Sequence, residues 1–249
     1  MTPARSALKS AVWAVYRTGS ACKAQVVRLT LGLLTGLVSG LARWLSALYA
    51  NNWGLLRLTY YDQLYNVLGG PAKWLWVERG YLACRDMTPE SVVLDIGCSN
   101  GIYAAYFYAP RVKAVDAIDC CLPAIRIAQR RYANIGNLCF AGADVVKDPF
   151  PSPRYDVVVC NAVIEYLTPD EIPVVFDKIR LALTSDGVLI GHTPIKPDAA
   201  SHQFGSTSNI NSKDKLIEIL SQCFDTVETW PSLETTRTSV YFRCSQPRR

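Results

Sequence analysis

The hydrophobic pattern of this chain changes period repeatedly between residues 92 and 244. Short apolar or β-branched runs at 92–96, 112–119, 155–161 and 188–192 have the character of strands buried on both faces of a sheet. Stretches of helical period follow at 102–107, 122–132 and 168–183, and a further one spans 213–223. The start of the third is well specified. Thr168 supplies an N-cap, Pro169 the first helical position, and Glu171 completes a capping box. Ser185-Asp186-Gly187 is the turn into the next strand, and 227–230 and 239–244 read as two final strands joined by a polar loop. Strands alternating with helices and followed by a strand pair predict an α/β fold, with a parallel sheet covered on both faces.

The loop after the first strand carries chemistry. Asp95-Ile96-Gly97-Cys98-Ser99-Asn100-Gly101 runs from a strand-end acid through a glycine-bracketed turn into a helix. Such a turn brings bare backbone N–H groups and a helix N-terminus close to a ligand. A dinucleotide fingerprint would need glycines at 99 and 102, where this chain has Ser99 and Ile102. Asp119 ends the second strand eighteen residues after Gly101, where an acid can accept both ribose hydroxyls of an adenosine. Asp116 lies mid-strand and is the weaker competitor. Asp144, in Phe140-Ala141-Gly142-Ala143-Asp144-Val145, is a third acid in order.

The wording V-L-D-I-G-C-x-x-G resembles the first motif of class I S-adenosylmethionine-dependent methyltransferases, over roughly residues 85–245. The resemblance implies a doubly wound, mostly parallel seven-stranded sheet with one antiparallel strand and S-adenosyl-L-methionine as cofactor. It assigns Asp95, Ile96, Gly97, Cys98 and Gly101 to the methionine half, and Asp119 with Cys120 to the ribose. Asp144 and the Val145 N–H then fall to adenine, with Asn161 at the end of the fourth strand. The chain departs from the family at Ser185-Asp186-Gly187, where Pro-Gly-Gly is usual. Asn161-Ala162-Val163-Ile164 also stands where a nucleic-acid amino-methylase would carry Asn/Asp-Pro-Pro-Tyr.

Methyl transfer needs alignment of two reactants and, for some acceptors, a general base. His192, at a strand's carboxyl end, is the leading candidate base, with His202 and Glu165 in reserve. Residues 51–88 form an aromatic-rich segment broken at Gly69-Gly70-Pro71, expected to be a helical cap over the cofactor. Tyr60, Tyr61 and Tyr65 are its candidate acceptor-pocket residues, with Tyr61 placed among the catalytic set. Trp74 and Trp76 read equally well as helix packing.

Charge divides the chain. Residues 1–61 hold seven Lys or Arg and no acid, so the remainder carries nineteen basic against twenty-one acidic residues. That balance argues against a nucleic-acid partner and leaves a small-molecule acceptor as the leading class. Nine scattered cysteines without C-x-x-C, and two histidines, predict reduced thiols and no metal site. The domain organisation expected is a basic amphipathic appendage at 1–50, the cap at 51–88 and the cofactor-binding domain at 89–249.

Within the appendage, fourteen uncharged residues (29–42) lie between Arg28 and Arg43, short of the roughly twenty apolar residues that span a bilayer. At helical period, Val26, Leu33, Leu37, Leu41, Trp44 and Leu48 share the apolar side, while Arg28, Gly32, Thr35, Ser39 and Arg43 share the polar one. Three readings stand for residues 26–48: peripheral membrane contact, a lid or dimer helix, and a cleavable targeting segment. The sequence therefore predicts a cytoplasmic methyltransferase of a small, apolar molecule, peripheral on a membrane under the first reading. A non-catalytic cofactor-binding subunit and a methyltransferase of protein or RNA are the alternatives.

Overall fold

A computed structural model describes residues 32–34, 36–38, 40–41, 71–195, 210–232 and 238–248, with the backbone alone for 71–76. The chain divides into two compact units, Met1–Leu56 and Arg57–Arg249. Of the first, the described residues are helical.

In the second unit, helix α1 (Pro71–Ala83) starts on the proline after the Gly69-Gly70 break. Then come β1 (Val92–Ile96), β2 (Ala114–Asp119), α2 (Leu122–Arg131), β3 (Leu138–Gly142) and β4 (Tyr155–Asn161). The remainder is α3 (Glu171–Ala182), β5 (Leu183–Pro194), α4 (Lys213–Leu220), β6 (Phe224–Pro231) and β7 (Ser239–Pro247). The seven strands form one sheet in the order β3-β2-β1-β4-β5-β7-β6. β7 is antiparallel to both β5 and β6, and the other pairs are parallel. This is the doubly wound sheet expected from the alternation. Its order reverses between β1 and β4, so a crevice opens beyond their carboxyl ends.

Alternation along the strands sorts the core into two layers. Leu94, Ile96, Val158 and Leu189 pack with Phe176 and Ile179 of α3 and Leu216 and Leu220 of α4. Val93, Val157, Val159 and Ile190 pack on the other face with Tyr108 and with Ile125 and Ala128 of α2. The capping box forms as read: the Thr168 N–H donates to Glu171 Oε2 at 2.8 Å, and the Glu171 N–H to Thr168 Oγ1 at 3.3 Å.

Two connections depart from regular strand–helix alternation. The helix expected after the glycine loop is a brief one, passing into a π-helix at Ala104–Tyr108 and a 3-10 turn at Ala109–Arg111. Pro110 lacks the N–H a regular helix would use and its ring crowds the preceding turn. The β3–β4 connection has no helix, because Pro149, Pro151 and Pro153 interrupt it within five residues. Asp116 holds that connection instead, accepting from Ser152 Oγ at 2.7 Å and Tyr155 OH at 2.8 Å. The competitor for the ribose role is thereby committed to the fold. β5 also starts earlier than expected, with a register irregularity between Tyr155 and Val157 that accommodates Ser185-Asp186-Gly187.

Candidate active site

The crevice at the carboxyl ends of β1 and β4 holds a cavity lined by Asp95, Gly97, Cys98 and Asn161. Ser99, Asn100, Ile102 and Tyr103 complete its loop side, and Arg79 of α1 contributes the remaining wall. Sequence reading placed the first four there. Ser99, Asn100, Ile102 and Tyr103 follow from the same loop and its first helical turn, but Arg79 lies in the cap segment without any motif to signal it.

The loop's shape follows from its glycines. Gly97 and Gly101 have φ of +75° and +80°. A Cβ at 97 would stand 2.4 Å from Val163 Cγ2, and one at 101 would stand 2.5 Å from the Phe140 ring. Gly97→Ala thus meets both left-handed backbone strain and a collision. The expected cost is about 1–3 kcal/mol of stability, with weaker cofactor binding from the displaced loop. Thermal unfolding with and without S-adenosylhomocysteine measures both, and a variant indistinguishable from wild type would remove the case for a tight loop.

Asp119 fastens this loop to the tip of β2. Its Oδ2 accepts the Ser99 N–H at 2.8 Å and its Oδ1 the Cys121 N–H at 2.7 Å, with the residue 4% exposed. Ser99 takes a positive φ of 50° in making that bond. Each carboxylate oxygen keeps a second lone pair. Beside it, Cys120 is exposed at the end of the strand.

Asp95 is 4% exposed, and its Oδ2 has no hydrogen-bond partner among the described residues. Burial, and secondarily the charge of Asp119, push its carboxyl well above the ordinary range. An acid in this position costs free energy unless a donor arrives to meet it. Ile96 is buried in the layer facing α3 and is not among the residues that line the cavity. Cys98 is buried, and its thiol is pushed up by burial and by Asp95 and Asp119, which makes it unreactive.

The third acid stands apart from the cavity wall. The Ala143 N–H donates to the Asp119 carbonyl at 3.1 Å, which sets residues 143–145 beside the β2 tip. Asp144 itself closes a turn, accepting from the Val146 N–H at 2.9 Å and pairing with Lys147 at 3.1 Å. The Val146 bond and the lysine hold its carboxyl below the ordinary range. Val145 is half-buried, and its carbonyl accepts from Lys178 Nζ at 2.9 Å.

Asn161 begins a row along one sheet face. Pairing sets it beside His192, His192 beside Tyr241, and Tyr241 beside Trp230. His192 is fully buried with its ring 4.8 Å from that of Tyr241, and Trp230 stacks on Tyr241 at 6.0 Å. Tyr241 OH donates to Glu78 Oε2 of α1 at 3.0 Å. His192 therefore shares a face with the cavity but lies one strand beyond it, beneath aromatic packing. Glu165 is also buried, in the 3-10 turn Ile164–Tyr166. Tyr60, Tyr61, Tyr65 and His202 lie outside the described residues.

Residues 93–187 match the family model described as "Methyltransferase domain". An uncharacterized methyltransferase of Mycobacterium tuberculosis is 30% identical over 116 residues, covering 47% of this chain and 57% of that protein. A probable ribosomal RNA small subunit methyltransferase A of Methanosarcina barkeri is 30% identical over 120 residues, covering 46% of this chain and 40% of that protein. The chain thus spans about half the length of the curated relatives it matches. The fold is that of the N-methyltransferase NodS from Bradyrhizobium japonicum WM9 in complex with S-adenosyl-L-homocysteine. That match has a TM-score of 0.59 and 22% identity, and covers 76% of this chain and 98% of that one. Strand order, switch-point loop and domain match define one class. Residues 93–187 are similar to a methyltransferase domain, and the fold is that of S-adenosylmethionine-dependent methyltransferases.

Proposed function

We propose that this chain transfers the methyl group of S-adenosyl-L-methionine to a small, apolar acceptor by in-line displacement. The observation that carries the reading is Asp95 Oδ2, buried without a partner in the cavity that Arg79 also lines. An acid and a guanidinium facing one cavity match the ammonium and carboxylate of an amino-acid end. Gly97 and Gly101 leave room for the adjoining chain, Asp119 offers its spare lone pairs to the ribose with Cys120 at the rim, and Val145 serves the adenine, with Asp144 joining it on release from Lys147. S-adenosyl-L-methionine supplies an electrophilic methyl on a sulfonium. The acceptor lone pair forms the new bond to carbon as the sulfur–methyl bond breaks, and the electron pair stays on sulfur.

The residues chiefly align and desolvate. Asn161, at the end of β4, lines the cavity as a further cofactor contact, and Val163 packs over Gly97. His192 serves as base in this scheme once the packing around Tyr241 opens, with Tyr61 at the acceptor wall; an amine or anionic acceptor needs no base. A small acceptor is favoured over a polyanion because residues 62–249 carry more acids than bases.

The test combines thermal shift with methyl transfer. S-adenosylmethionine and S-adenosylhomocysteine are expected to raise the melting temperature and NAD is not. Labelled methyl is expected on small apolar acceptors rather than on RNA or protein. Equal stabilisation by NAD would overturn the cofactor assignment. Binding without transfer to any acceptor would instead favour the non-catalytic subunit, and label on a macromolecule would move the acceptor class.

A further inference from the structure

We infer that the helical residues 32–34, 36–38 and 40–41 seat this protein on an anionic membrane surface. Leu33, Leu34, Leu37, Val38 and Leu41 are helical and expose 70, 53, 70, 67 and 58% of their surfaces. At about 100° per residue, positions i, i+1, i+4, i+5 and i+8 fall within an arc of roughly 140°, one continuous aliphatic stripe. Five large aliphatic side chains exposed along one arc of these helical residues form the kind of patch that marks an interaction surface.

Charge selects the occupant. The first 61 residues contain seven Lys or Arg and no acid. An aliphatic stripe in an acid-free, basic segment is complementary to a surface that is apolar beneath and negative above, which is a leaflet containing anionic lipid. No helix among the described residues is long and apolar enough to cross a membrane, and the uncharged stretch 29–42 is short of the roughly twenty apolar residues a span needs, which favours an interfacial contact. A second copy of the chain would bring like charge against like charge. Such a seat would place the enzyme where apolar acceptors partition, but the contact itself does not depend on the catalytic proposal.

Vesicle flotation of the full chain tests this. Wild type is expected to float with phosphatidylcholine vesicles containing about a third phosphatidylglycerol, less with phosphatidylcholine alone, and less at high salt. The double substitution Leu34→Asp with Leu37→Asp is expected to lower anionic-vesicle partitioning on the order of tenfold or more. Thermal unfolding and S-adenosylhomocysteine binding should stay at wild-type values, since neither residue belongs to the core or the cavity. Wild type remaining with the soluble fraction in both vesicle types would overturn the inference, as would a double variant that floats equally well. A self-association that the double variant abolishes, without lipid binding, would assign the stripe to a second copy and overturn it too. Flotation reads neither cofactor nor methyl transfer, so its failure is distinct from failure of the catalytic reading.

Discussion

Asp119→Ala is expected to lower the melting temperature on the order of 10 °C in the absence of any cofactor, and to abolish stabilisation by S-adenosylhomocysteine. The carboxylate is buried and accepts one backbone N–H from each side, Ser99 from the glycine loop and Cys121 at the start of α2. Removing it strands two donors, each worth about 1–3 kcal/mol, and 1 kcal/mol corresponds to roughly 2–4 °C in a domain of this size. Ser99 would also lose the bond that offsets its positive φ. Asp119→Asn keeps the shape and one acceptor but turns an amide N–H₂ toward the other donor, so an intermediate loss is expected. Differential scanning calorimetry of the three proteins, each with and without S-adenosylhomocysteine, separates the two roles. An alanine variant that melts with wild type would mean the loop does not depend on Asp119. One that melts early yet keeps the full ligand-induced shift would remove it from the ribose site.

The double role of Asp119 shows what a sequence signal can and cannot carry. Its distance from Gly101 suffices to place an acid at the β2 tip, because strand length and loop length fix that geometry. The spacing says nothing of the two N–H groups the acid serves first. Asp116 differs by three residues and belongs to the fold through Ser152 and Tyr155, a pairing across 36 and 39 positions that no local pattern encodes. Asp144 was legible as an acid in order, but its side chain is occupied by its own turn.

The sheet itself was legible because its strands are buried on both faces and so read as apolar runs, and the capping box was legible because both partners are local. The helical period after the glycine loop was legible, but its π-helical form at Ala104–Tyr108 and 3-10 ending at Ala109–Arg111 were not. His192 was chosen for its place at a strand end, and it is at that end. Its burial comes from Tyr241 and Trp230, whose neighbourhood is set by a strand order that runs β5-β7-β6. Arg79 had no signal at all, because it enters the cavity from a helix sixteen residues before Asp95 and only tertiary packing brings it there.

Asp95 carries the prediction that joins stability to binding with opposite signs. Its carboxyl is raised by burial and secondarily by the Asp119 charge, so the ligand-free folded protein holds this proton to higher pH than the unfolded chain does. Stability from this group is therefore full below the ordinary carboxylate range and falls as pH rises through the raised folded value. Cofactor binding reverses the cause. An ammonium meeting Oδ2 favours the carboxylate, so binding expels the proton and affinity rises with pH until the ligand-free group has ionised. Asp95→Asn keeps the shape but cannot ionise. It is expected to melt at or above wild type at neutral pH, yet to bind S-adenosylmethionine on the order of a hundredfold more weakly, the scale of losing one partner of a buried charge pair. Titration calorimetry in two buffers of different ionisation enthalpy counts the protons released by wild type, and the variant should release none. If the asparagine variant binds as tightly as wild type, or wild type takes up protons on binding, the ammonium does not sit on Asp95 and the cavity holds its ligand in another way.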